Sequence, residues 1–134
     1  MATTTATITL SSTDLSSDEL ALTTTATLTG AGNSTGLTQA TGVSRKKLAS
    51  GHAEYTLFDG NEYTADKAHK VYLKNTSTTA GEYFLITIAS EPVGRLYAGD
   101  WAFFPWDAHD TGADVKIDPS ANDMVLEYML FTDE

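Results

Sequence analysis

Cysteine is absent from the 134-residue chain. Disulfides, thiolate metal sites and cysteine nucleophiles are excluded with it. No apolar run approaches the ~18 residues of a membrane-spanning helix, so a membrane is not an expected partner. From Met1 to Leu10 no basic segment precedes an apolar stretch, and the expectation is a protein without a secretory signal, folded in the cytosol. Basic residues are scarce, 8 against 18 acidic ones, for a formal net charge of −10. So acidic a chain is repelled by nucleic acid and by anionic lipid. Aromatic residues are missing before Tyr55, and every Phe, Tyr and Trp follows it. Since one aromatic side chain buries roughly 150–250 Å², the well-packed part of the core is expected within residues 52–134.

Helical periodicity is missing as well: no segment sustains a 3.6-residue apolar period beyond about three turns. What the chain has instead is threonine, serine and glycine, together with short alternating runs. Threonine favours strands because its β-branched side chain is restricted in helices and packs on a pleated surface. Ala6 to Leu10 alternates with Ile8 and Leu10 on one face, and Leu20 to Leu28 is a second extended run. The polar stretch between them reads as a loop or one short helical turn capped by Ser16 or Ser17. Gly30 to Gly42 holds four glycines and reads as a flexible loop.

Ala53 to Phe58 reads as a strand that ends at Asp59-Gly60, a hairpin signal. Val71 to Leu73 closes on Lys74-Asn75, where Asn75 reads as a turn residue. Tyr83 to Ala89 is apolar on both faces, as in a central strand. Pro92 assigns the next segment to an edge or a break, and Trp101 to Phe104 is expected to stop at Pro105. Val115 to Ile117 alternates, and Val125 to Phe131 places Val125, Glu127, Met129 and Phe131 on one face. Strands at roughly 8–12-residue spacing with turns between them predict an all-β fold, an antiparallel β-sandwich or jelly-roll-like single domain. Residues 1–19 are expected to form an extended N-terminal arm and residues 20–134 the sandwich.

Few constellations carry chemistry. There is no Walker sequence and no Gly-x-Gly-x-x-Gly to cradle phosphate. His52, His69 and His109 each lie beside small or charged residues and read as exposed or hydrogen-bonded histidines. Asp107, Asp110 and Asp114 flank His109 in an acidic, glycine-bearing loop, a weak candidate for a calcium-like cation, but the EF-hand spacing is absent. No enzyme, cofactor or metal is expected. Arg45-Lys46-Lys47 is the one basic cluster; it suits a protected strand edge, or a contact with an acidic neighbour such as another copy of the chain. Four large aromatics, Trp101, Phe103, Phe104 and Trp106, fall within six residues. Alternation puts Trp101 and Phe103 on one face and Phe104 and Trp106 on the other, so that one face serves the core and the other is free for a neighbour. With Tyr97 these are the interface candidates. Tyr97, Trp101 and Trp106 also suit a stacking platform for sugar rings.

The C-terminal half also resembles a known group. Val71-Tyr72-Leu73-Lys74-Asn75-Thr76, Tyr83 to Ile88, Gly94 to Trp106 with its Gly99-Asp100 and Pro105-Trp106 corners, and Leu126-Glu127-Tyr128-Met129-Leu130-Phe131 are similar to the small β-sandwich virion proteins of tailed bacteriophages. The likeness covers roughly residues 70–132, and the Thr/Ser/Gly-rich N-terminal half departs from it. It implies a bacteriophage virion structural protein made in the host cytoplasm, most naturally a capsid decoration (cement) protein. The partners it implies are the chain itself, as a homotrimer, and the major capsid protein or another virion protein. A tail, baseplate or collar module is the alternative within the virion, and a carbohydrate-binding β-sandwich module the alternative outside it.

Overall fold

The computed structural model describes residues 4–15, 17–29, 37, 39–109 and 112–133. These form strands β1 (Thr4–Ser12), β2 (Leu20–Leu28), β3 (Gln39–Ala40), β4 (Ser44–Leu48), β5 (Tyr55–Phe58), β6 (His69–Asn75), β7 (Tyr83–Ile88), β8 (Glu91–Tyr97), β9 (Trp101–Trp106), β10 (Val115–Pro119) and β11 (Met124–Thr132). One 3-10 turn, Gly60–Glu62, is the only helical element among the described residues. All pairings are antiparallel. A four-stranded sheet runs β5-β10-β7-β8, and a five-stranded sheet runs β3-β11-β6-β9 with β4 also paired to β11. From β4 onward the chain passes from one sheet to the other at every connection except the β7–β8 hairpin. The expected antiparallel sandwich is therefore the observed fold.

Strict alternation builds the core. In β6, His69, Val71, Leu73 and Asn75 are buried while Lys70, Tyr72 and Lys74 are half-buried on the other face. In β10, Val115 and Ile117 are fully buried, and in β11 Met124, Leu126 and Leu130 are. These meet Phe84 and Ile86 of β7, Phe58 of β5 and Trp106 of β9 in one continuous cluster between the sheets. Full burial of such side chains is worth about 1.5–3 kcal/mol each. The core indeed lies almost wholly after residue 48.

Two of the three prolines lie on edge strands, and the third, Pro119, is the last residue of the central strand β10. β8, with Pro92, is an edge strand, as expected. β9 runs through Pro105 to Trp106 instead of stopping at Pro105. It too is an edge strand, so a residue without an N–H costs the ladder nothing on the outer side. Tyr83 to Ile88 is central, between β10 and β8, but its outer face is only half covered, with the Arg95 guanidinium 4.4 Å from the Tyr83 ring.

Asp59-Gly60 does not make a hairpin. The Asp59 carboxylate accepts from the Asn61 amide at 2.8 Å and caps the 3-10 turn, while Asp114 accepts from the Gly60 N–H at 2.9 Å. The chain then leaves the first sheet and enters β6 of the second. Asn75 is likewise more than a turn residue. It is fully buried, and its side-chain amide donates to the Leu96 carbonyl at 2.9 Å and the Glu82 carbonyl at 3.3 Å, while its Oδ1 accepts from Ser77 N–H at 2.9 Å.

The N-terminal arm differs most from expectation. Leu20–Leu28, expected to open the sandwich, pairs along its whole length with Thr4–Ser12, so the arm is a two-stranded hairpin over residues 4–28. Its turn holds no helix among the described residues; the Ser12 hydroxyl accepts from the Leu15 amide at 3.1 Å. Ser16 and most of the glycine-rich loop fall outside the described residues. One hairpin face is threonine, with Thr7 and Thr25 hydroxyls 2.8 Å apart. The other carries Ala6, Ile8 and Leu10 opposite Ala26, Thr24 and Leu22.

Candidate assembly surface

The outer face of the five-stranded sheet follows from the same alternation. Register places Lys47 beside Val125, and Arg45 beside Glu127 beside Lys74, while Tyr72 lies between Met129 and Phe103. Every second residue of each strand points away from the core. The face therefore shows Arg45 and Lys47 of β4, Val125, Glu127, Met129 and Phe131 of β11, Lys70, Tyr72 and Lys74 of β6, and Trp101, Phe103 and Pro105 of β9. Phe103 and Phe131 meet edge to face at 6.2 Å. Trp101 is 51% exposed, an unusual position for the largest side chain.

Four of the 8 basic residues of the chain stand on this face; within its strands the one carboxylate is Glu127, and Asp123 and Asp133 lie at the two ends of β11 beside Lys47 and Lys70. Glu127 ties three strands together: its Oε2 receives the Arg45 guanidinium at 3.1 Å and its Oε1 the Tyr72 hydroxyl at 3.0 Å. The tyrosine bond first, and then Arg45, holds its carboxyl below the ordinary value of 4.5. Burial, with Glu127 beside it, pushes the Tyr72 hydroxyl up. Burial also lowers the Lys70 ammonium, with Asp133 acting in the opposite direction. A carboxyl depressed by folding stabilises the protein above its ordinary pKa and loses that contribution as pH falls through the lowered value. Glu127→Gln should therefore melt below wild type at pH 7, and the gap between the two melting temperatures should close as pH falls below 4.5. A gap that stays constant down to strong acid would show that the charge of Glu127 plays no part.

The base of the N-terminal hairpin covers one corner. Ala6, Thr7 and Ile8 of β1 and Tyr72, Lys74, Trp101 and Phe103 of the sheet line a cleft of about 330 Å³. Beyond it the hairpin is uncovered: Leu10 is 48% exposed, Leu22 47% and Leu15 75%, with Leu20 exposed beside them.

The sequence-derived candidates are dispersed by the fold. Trp101, Phe103, Arg45 and Lys47 share the outer face. Lys46 points the other way and lies over the Tyr55 ring at 5.1 Å, where the edges of the two sheets meet. Phe104 packs against the core from a half-buried position. Trp106 is 3% exposed and its indole N–H donates to the Ala113 carbonyl at 2.8 Å, so it is a core residue of the protomer and not a surface aromatic. Tyr97 stands on the outer side of the other sheet, its ring 5.5 Å from Tyr83. Tyr97, Trp101 and Trp106 therefore share no common platform. The cationic character of the outer face escaped sequence reading, because Lys70 and Lys74 join Arg45 and Lys47 only through the register of β4, β11 and β6.

The acidic loop changes membership. Asp107 and His109 gather with Asp66, which sequence reading missed; one ligand atom from each lies within 4.8 Å of the others, and all three side chains are exposed. Asp107 also accepts from the Asp66 N–H at 2.9 Å, which stitches the loops together. Asp114 is engaged at Gly60 instead, and Asp110 lies outside the described residues. Of the histidines, His69 is fully buried, with Nε2 2.9 Å from the Thr64 carbonyl and Nδ1 accepting from the Asp133 N–H at 3.3 Å. Both ring nitrogens are thereby engaged by main chain, and neither is left to serve as a base. Gly32-Asn33-Ser34-Thr35-Gly36 carries the spacing of a nucleophile elbow and lies outside the described residues. Such an elbow is a strand-to-helix corner, and the described residues contain no α-helix. No protein family, curated protein or solved structure matches the chain.

Proposed function

We propose that the protein is a structural, self-assembling component and not an enzyme, with the outer face of the five-stranded sheet as its contact surface. The observation that carries this reading is the composition of that face: Tyr72, Trp101, Phe103, Met129 and Phe131 interleaved with Arg45, Lys47, Lys70 and Lys74. Aromatics, methionine and arginine are the residue types enriched at interface centres. Such a surface on a strongly acidic domain fits an acidic neighbour better than free solvent. The C-terminal resemblance takes the reading from assembly in general to a virion, as a capsid decoration protein that forms a symmetric homotrimer and sits on the shell protein. Cementing of this kind works by multivalency, since opening one joint of a shell breaks several contacts at once.

Light scattering after gel filtration should give the mass of a trimer. A monomer at every accessible concentration would overturn self-assembly. Trp101→Ala should weaken association by about 30-fold, the scale of an interface anchor worth about 2 kcal/mol, while leaving the melting temperature of the protomer nearly unchanged. Within a virion, copy number separates the positions, because a decoration protein is present in hundreds of copies and a tail module in a few to dozens.

A further inference from the structure

We infer that the distal half of the β1–β2 hairpin docks on the outer sheet face of a second copy of this chain. The inference rests on the self-assembly reading above and specifies which surfaces meet. Residues 1–43 contain no lysine or arginine, and their only charged side chains are Asp14, Asp18 and Glu19. All three lie in or beside the turn that joins β1 to β2, so the hairpin is an arm with its negative charge gathered at the tip. Just behind the tip, the Leu10–Leu22 cross-strand pair and the neighbouring Leu15 and Leu20 form an exposed apolar patch. An isolated two-stranded hairpin is marginal in water, and one with its apolar face uncovered has little to hold it.

The complement is on the same molecule, and the distal leucines of its own arm do not cover it. The hairpin base spends Ala6 and Ile8 on the corner made by Trp101, Phe103 and Tyr72, while its distal leucines stay exposed. On the remainder of the face Val125, Met129 and Phe131, each half-buried, supply apolar surface, flanked by Arg45, Lys47 and Lys70. Acidic groups there are Glu127, already bound to Arg45, Asp123, paired with Lys47 at 3.2 Å, and Asp133 at the end of β11. An arm of charge −3 with an apolar flank thus meets a face that carries four cations, Arg45, Lys47, Lys70 and Lys74, against three carboxylates. The contact is head to tail, and a head-to-tail contact that closes makes a ring.

Charge reversal tests it on the full-length chain. Asp14→Lys with Asp18→Lys and Glu19→Lys should raise the dissociation constant of the oligomer at least tenfold at low salt. Lys47→Glu with Lys70→Glu should do the same, and the chain carrying all five reversals should associate again. Lys70 is half-buried and donates to the Ala68 carbonyl at 2.7 Å, and Lys47 is paired with Asp123, so circular dichroism and melting temperature are read on every variant to separate lost docking from lost protomer stability. Leu10→Ser with Leu22→Ser, read in the same way, probes the apolar part without touching charge. If the arm variants leave the oligomer intact while Trp101→Ala still dissociates it, the docking is wrong and self-assembly stands. If the five-fold reversal fails to restore association, the arm and the face are not partners. A wild type that is monomeric throughout overturns both.

Discussion

Trp106→Ala should cost the protomer about 3–5 kcal/mol, the range for removing a buried tryptophan. The indole is surrounded by Phe58, Tyr63 and His69, with ring centroids at 5.9, 5.5 and 5.8 Å. Its N–H reaches the carbonyl of Ala113, just before β10, so a side chain from the edge of one sheet fastens the entry to a central strand of the other. Truncation empties the largest volume in that end of the core and leaves the Ala113 carbonyl unpaired. Phe should recover most of the packing but not the hydrogen bond, worth about 1 kcal/mol. Urea unfolding monitored by far-UV circular dichroism measures both. A loss below about 1 kcal/mol for Ala would mean that Trp106 does not hold the sheets together.

Asn75→Ala should be the second large effect, at about 3 kcal/mol. Three hydrogen bonds from one fully buried side chain hold Leu96 of β8, Glu82 before β7 and Ser77 in the connecting loop. Removing it leaves buried main-chain groups without partners, each costing about 1–3 kcal/mol where water does not reach them. Asn75→Asp separates polarity from shape. It keeps the acceptor toward Ser77 but turns a carboxylate toward the Leu96 carbonyl. Burial and that carbonyl raise the carboxyl pKa in the folded state, so the penalty should grow as pH rises through the ordinary aspartate value near 3.9. If Asp at neutral pH is as stable as wild type, the side chain is not clamped as described.

Strand positions were legible where alternation was clean. Val125 to Phe131 and the division of Trp101 and Phe103 from Phe104 and Trp106 follow from the two-residue period alone, and Pro92 marked an edge correctly. Which side of β9 faced the core was another matter. That choice depends on the partners of Phe104 and Trp106, which come from β5, β6 and the loop before β10, all distant in sequence. Asp59-Gly60 misled because the capping that suits a hairpin also suits a 3-10 turn, and the bond from Gly60 to Asp114 depends on a residue more than fifty positions away. Leu20–Leu28 carried no sign of its partner: a threonine-rich strand with few large side chains has a weakly specified register. The cationic outer face was invisible for the opposite reason, since it exists only once three strands are aligned.

The edges described above bear on how the protein behaves when it is made in bulk. An unpaired strand edge templates further strands, and a pile of such additions is an amyloid fibre. Here β9 breaks its free ladder with Pro105, β8 with Pro92 and a register shift next to it, and β4 lines its border with Arg45-Lys46-Lys47. Sheet-to-sheet growth is thereby discouraged at three borders of the sandwich. Crowded copies are left to meet through side-chain surfaces of defined shape, where an assembly can finish, instead of through backbone ladders that have no last member.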